Sequence, residues 1–223
     1  MSERSPSPEE TPAPSPSQEP DDGFQADLPL AVLESVRTHD RPTEVLEEED
    51  LASSLPRRLG LTGVVESQIH RYKVARRRRE RIPRDDVADL LRLVMRRPDA
   101  AAILVEAGRE LARHHGRKFL YRAAGLARIL PDAISTRIAK RTIRRLMRRL
   151  TGGATVQVTR KPLRVTAHET VTARADDSGT ACTLYAAAIE EAAQHALGRR
   201  PSVQHIACEA FGAEHCVWEI HTD

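Results

Sequence analysis

The stretch HIACEAFGAEHCVWEI, residues 205–220, holds two of the chain's three cysteines and its only tryptophan. Side chains alternating about a glycine-bearing turn predict a β-hairpin there. In a hairpin, positions equidistant from the turn face each other. With the turn centred on Gly212, Cys208 and Cys216 make such a pair, and opposed Cβ atoms stand about 4.5–5.5 Å apart, near enough for two thiolates to share one ion. Cys182 heads the helix predicted just upstream, and a helix N-terminus favours the thiolate that a metal needs. Three sulfurs and the imidazole of His205 would complete a tetrahedral zinc site, with sulfur about 2.3 Å from the metal. His205 precedes Cys208 by three residues, so strict alternation puts the two on opposite faces. A bulge or an early strand end is needed to bring them together. His215, Glu209 and Glu214 compete for the fourth position. The spacing is not that of a paired C-x-x-C finger. The plainer alternative is that small buried cysteines fill a core while His205 lies at the surface.

Aromatic residues make up only 3% of the chain, so the core must come from Leu, Ile, Val and Ala. No apolar run approaches the length of a bilayer span. The N-terminal MSERSPSPEETPAPSPSQEP lacks the basic-then-apolar order of a secretory signal, so a cytoplasmic protein is expected. In that compartment three cysteines point to free thiols or a metal site rather than disulfides. The formal charge of +3 conceals an asymmetry: residues 1–50 carry 14 acidic and 3 basic side chains, and the remainder 18 and 32. The acidic segment, or an acidic partner, has a basic body to lie against.

Residues 1–27 are rich in Pro, Ser and Glu and read as a disordered tail. Residues 28–84 read as an acidic lead-in with short helices at 28–40 and 41–55, followed by a basic helical connector ending in Arg76, Arg77, Arg78 and Arg79. The main folded domain is expected over 85–223. Val87, Leu90, Leu91 and Val94 recur at helical spacing, Pro98 opens a second helix, and 119–130 continues helically. A long helix over 131–153 is predicted to bury Ile134, Ile138, Leu146, Met147 and Leu150. Arg141, Arg144, Arg145 and Arg148 lie on its remaining surface. The period then changes: ATVQVTR and LRVTAHETVTARA alternate as two strands. The segment 182–198 is a helix with Leu184, Tyr185, Ala188, Ile189, Ala192 and Ala196 inward, and SVQHIACEAF and HCVWEIH are the last strands. The order of elements implies an α+β fold, an antiparallel sheet backed by helices.

CTLYAAAIEEAAQHAL followed by VQHIACEAFGAEHCVWEI resembles the C-terminal signature of the 4-vinyl reductase (hydrocarbon-binding) domain family. Cys208, Ala210, Gly212, Cys216 and Trp218 fill its C-x-A-x-G-x-x-x-C-x-aromatic places, and AGRELARHHGR is similar to its earlier glycine-bearing helix. The resemblance spans about 98–221. It implies the ligand-binding fold of nitric-oxide sensors and Golgi transport-tethering subunits, with an apolar ligand pocket. It also implies zinc held by Cys182, Cys208 and Cys216, with His205 where relatives carry an acid. The fold so implied accommodates a homodimer.

Three classes of function follow. The first is a cytoplasmic module that binds or senses a hydrophobic small molecule and is braced by structural zinc. The second is a bacteriochlorophyll-pathway 4-vinyl reductase or tetrapyrrole carrier, as a subset of the family implies. No G-x-G-x-x-G dinucleotide loop and no Ser/His/Asp set is present to support catalysis, and no catalytic residue is assigned. The third is a regulator binding nucleic acid or an acidic partner through its arginines; few aromatics interleave with them.

Overall fold

The computed structural model describes residues 23–40, 63–116 and 131–222. The expected helices at 41–55 and 119–130, and the tail up to residue 22, lie outside the described residues.

The chain order is β1 (Gly23–Gln25), α1 (Asp27–His39), α2 (Val64–Arg78), β2 (Arg81–Pro83), α3 (Arg84–Met95), α4 (Ala100–Gly116) and α5 (Asp132–Leu150). There follow β3 (Val156–Val158), β4 (Leu163–Ala167), α6 (Val171–Ala175), a 3-10 turn at Thr180–Cys182 and α7 (Thr183–Leu197). β5 (Ser202–Ala207), a second 3-10 turn at Glu209–Phe211 and β6 (Cys216–His221) complete it. β1 and β2 pair with each other. The other strands form an antiparallel sheet in the order β3-β4-β6-β5, as expected for an α+β fold. Among the described residues no helix is long and apolar enough to cross a membrane.

Alternation fixes the two faces of the sheet. Val156, Val158, Leu163, Val165, Ala167, Cys216, Trp218 and Ile220 are all buried on the inner face. On the outer face Arg164 reaches across to Glu219, Nη2 to Oε2 2.5 Å. Behind the sheet, α7 buries every residue predicted to point inward and also Ala187, Ala193 and Leu197. This helix is wrapped rather than laid on a surface, which its alanine content permits. α4 and α7 cross at Gly108, where a Cβ would stand 2.2 Å from the carbonyl oxygen of Leu184. Only a glycine lets the backbones meet so closely.

Four expectations need correction. Gly23–Gln25 was expected in the tail but is strand β1, and Phe24 is fully buried against Gly152. Segment 28–40 is core rather than lead-in: Leu28, Leu30, Val32, Leu33 and Val36 are buried and belong to the same core as the sheet. Its acids had marked it as surface, yet its apolar residues are numerous enough to cover one side of α4. The strand expected through Ala175 ends at Ala167. Glu169 turns with φ 54°, and Val171–Ala175 is helical. Finally, the buried stripe of α5 is Ser135, Ala139, Ile143, Leu146, Met147 and Leu150, with Ile134 46% exposed. Near its N-terminus the helix turns a small residue, not Ile134, toward its neighbours.

Candidate metal centre

Cys182, the residue before α7, ends the 3-10 turn and is fully buried. Cys208 follows β5, and Cys216 begins β6. The two expected hairpin partners do face each other, with sulfurs 4.0 Å apart. The Cys182 sulfur is 3.8 Å from that of Cys208, and no disulfide joins any of the three. The strands are shorter than predicted, because the Glu209–Phe211 turn folds the connection back before Gly212 takes φ 82°.

The bulge that the spacing required is present. Register runs regularly to His205 opposite Trp218, then shifts so that Ala207 faces Val217. Ile206 is the extra residue, half exposed at 49%. This one-residue slip returns Cys208 to the face that His205 occupies. One ligand atom from each of Cys182, His205, Cys208 and Cys216 therefore lies within 4.8 Å of the others. His205 stacks on Trp218, centroids 5.0 Å apart and planes 12° from parallel, and Tyr185 meets the indole edge-on at 5.7 Å. These rings hold the imidazole in place from one side.

Of the other candidates for the fourth position, Glu209 stays beside the sulfurs, its Oε2 accepting from Cys216 Sγ at 3.5 Å, but its carboxylate is already held by neighbouring groups. Glu209 accepts hydrogen bonds from the backbone N–H of Glu169 (2.6 Å) and Thr170 (2.9 Å) and from Thr170 Oγ1 (2.9 Å). It thereby fixes the turn that ends β4. The side chain of Glu214 is 86% exposed, and the His215 ring lies tilted against that of His168, centroids 5.1 Å apart and planes 54° from parallel.

Hydroxyls and an amide surround the sulfurs. Thr172 Oγ1 is 3.2 Å from Cys182 Sγ, Thr170 Oγ1 is 3.4 Å from Cys216 Sγ, and the Glu209 N–H donates to Cys216 Sγ at 3.5 Å. The Cys182 thiol, then His205, Thr170 and Glu209, favour the Cys216 thiolate and hold its pKa down to about 3 against the opposing effect of burial. Interaction with Cys216 and burial push Cys182 up, and burial pushes Cys208 up. Negative charge is thus favoured on Cys216 and disfavoured on Cys182 and Cys208. A divalent cation inverts that balance, since it stabilises all three as thiolates. Phe211, 71% exposed, lies against Gly179 beside Cys208, where a Cβ on Gly179 would stand 3.1 Å from the ring and 3.5 Å from the sulfur.

The residues fit a metal on two independent counts. Three sulfurs and one imidazole are the soft donor set that zinc takes in closed tetrahedral sites. In addition, His205 Nε2 is buried with no hydrogen-bond partner among the described residues, an arrangement that otherwise leaves a buried polar atom unsatisfied. Sequence spacing alone did not reveal Thr170, Thr172 and the Glu209 backbone as the shell around the sulfurs. The run ETVT, a threonine at every second place, was their only signal, and it read as strand.

The basic residues fall on two helices. Arg76, Arg77, Arg78 and Arg79 are exposed at the end of α2, where Arg76 approaches Asp27 (3.8 Å) and Arg78 approaches Glu80 (3.6 Å). Arg141, Arg144, Arg145 and Arg148 are exposed along α5. Comparison with protein-family models, curated proteins and solved structures gives no match to this chain.

Proposed function

We propose that this chain is a cytoplasmic module of the 4-vinyl reductase (hydrocarbon-binding) type, which binds or senses a hydrophobic small molecule and is braced by one structural zinc ion. The observation that carries the zinc is the convergence of Cys182, His205, Cys208 and Cys216, four donors within 4.8 Å of one another. Four protein ligands leave no open position, so the ion would cross-link rather than catalyse. It would tie the start of α7 to both strands of the terminal hairpin. The signature residues Cys208, Ala210, Gly212, Cys216 and Trp218 support the family reading, with His205 in place of the family's acid.

Native mass spectrometry of freshly purified protein tests this, with one zinc per chain expected. Cys216→Ser should lose the ion, and chelation should lower the wild-type Tm by about 10 °C or more, since each kcal/mol moves Tm by roughly 2–4 °C at this size. Metal-free protein with unchanged melting after Cys216→Ser would return the cysteines to ordinary core packing.

A further inference from the structure

A cavity of about 210 Å³ opens between α4, α5 and α7, on residues outside the metal centre. Its floor is apolar: Ala112, Leu146 and Ala192 are each at most 4% exposed, and Ile138 packs beside them. Along one side run Arg141, Arg145 and Arg149, one helical turn apart on α5. Among the described residues no acidic side chain lines the cavity.

Several arginines elsewhere in the fold are paired with carboxylates. Arg97 lies between Asp40 and Asp99, Arg113 between Glu106 and Glu110, and Arg164 on Glu219. Arg149 donates to His115 Nδ1 at 3.3 Å. Arg141 and Arg145 meet no carboxylate among the described residues. Like charges four residues apart on a helix repel, and here the repulsion goes uncompensated beside an apolar hollow. A planar anion lying across two guanidinium forks would relieve it, while an attached apolar body displaces water from the floor. Size limits that body. A cavity of roughly 150 Å³ holds benzene, whereas drug-sized ligands occupy about 300–1,000 Å³. The space suits a chain of about eight carbons or one small ring, not a tetrapyrrole.

We infer that the α4–α5–α7 cavity binds a small amphipathic carboxylate, its apolar part over Leu146 and Ala192 and its carboxylate on Arg141 and Arg145. The inference rests on the reading of the chain as a small-molecule-binding module and names the class of molecule. Calorimetric titration of the full-length protein with octanoate, 1-octanol and acetate tests it, with zinc content measured on the same sample. Octanoate should bind one per chain, at least tenfold more tightly than either control. Arg145→Gln, an exposed position that does not threaten folding, should remove that advantage over octanol and leave octanol binding unchanged. Equal binding of octanoate and octanol, an unchanged preference in Arg145→Gln, or acetate matching octanoate would each overturn the inference. Zinc-loaded protein that ignores octanoate refutes the carboxylate pocket alone; zinc-free protein that binds octanoate refutes the metal reading alone.

Discussion

His115 closes α4 and is almost enclosed, its side chain 11% exposed, with Nε2 3.8 Å from Asp27 and Nδ1 near Arg149. Burial is the largest influence and favours the neutral ring; Arg149 and His114 act in the same sense, Asp27 in the opposite one, and the net result lowers its pKa. The unfolded chain takes up this proton near pH 6.5, the folded chain only at lower pH. Over that interval the unfolded state binds more protons, so stability falls as pH drops below about 6.5 and goes on falling through the folded pKa. His115→Gln removes this contribution. The difference in Tm between wild type and variant should therefore shift in the variant's favour on acidification, and parallel melting curves from pH 7.5 to 5 would show that His115 titrates as it does in water. The cysteines follow a different logic at the same scale. Without an ion, their mutual hydrogen bonds and burial favour charge on Cys216 and oppose it on Cys182; with an ion, the charge of the metal would set the protonation of all three.

Two local irregularities decide how the elements meet. In β5 the bulge at Ile206 restores the facing that a three-residue spacing denies. Removing that residue should achieve the same end by another route, because His205 and Cys208 would then stand two apart on one face of a regular strand, still opposite Trp218 and Cys216. Deletion of Ile206 should accordingly keep one zinc per chain, and its loss from a folded variant would show that the bulge geometry itself, not the shared face, is what the site requires. Where α4 crosses α7, Gly108 meets the carbonyl of Leu184. A backbone atom cannot rotate away as a side chain does, so Gly108→Ala must push the helices apart. Overpacking of this kind costs about 1–3 kcal/mol, and the added methyl meets backbone, so the upper end is expected. Urea titration reads it as a lower midpoint at constant slope.

Across the whole molecule, the N-terminal elements share one core with the sheet. α1 covers α4, α2 lies against α1, and Phe24 packs into the corner made by Gly152 and the guanidinium of Arg84 (5.7 Å). A fragment of residues 85–223 would expose the apolar face of α4 that α1 covers. It should bind a hydrophobic dye and melt without a cooperative transition, while the full chain melts sharply. A sharp transition in the fragment, with zinc retained, would mean that the N-terminal elements are an appendage to an independent domain.

Local patterning was enough for the α+β class, the helices at 85–97 and 182–198, the inward residues of α7 and the opposition of Cys208 to Cys216, because each depends on a period of 2 or 3.6 that the chain displays directly. The same information contained the fourth candidate ligand only as a problem: His205 stood on the wrong face, and no count of residues says where a bulge falls. That was decided by the inner face of the sheet, where Trp218 stacks on His205 and the bulge at Ile206 shifts the register before Cys208. The fate of 171–175 was likewise settled at a distance, by the Glu209 carboxylate that takes the amides of Glu169 and Thr170 and stops β4. Segment 28–40 shows the limit most plainly. Its composition recorded its charges, but whether its leucines met solvent or α4 depended on a helix some seventy residues away, and burial is a property of neighbours that a sequence does not state.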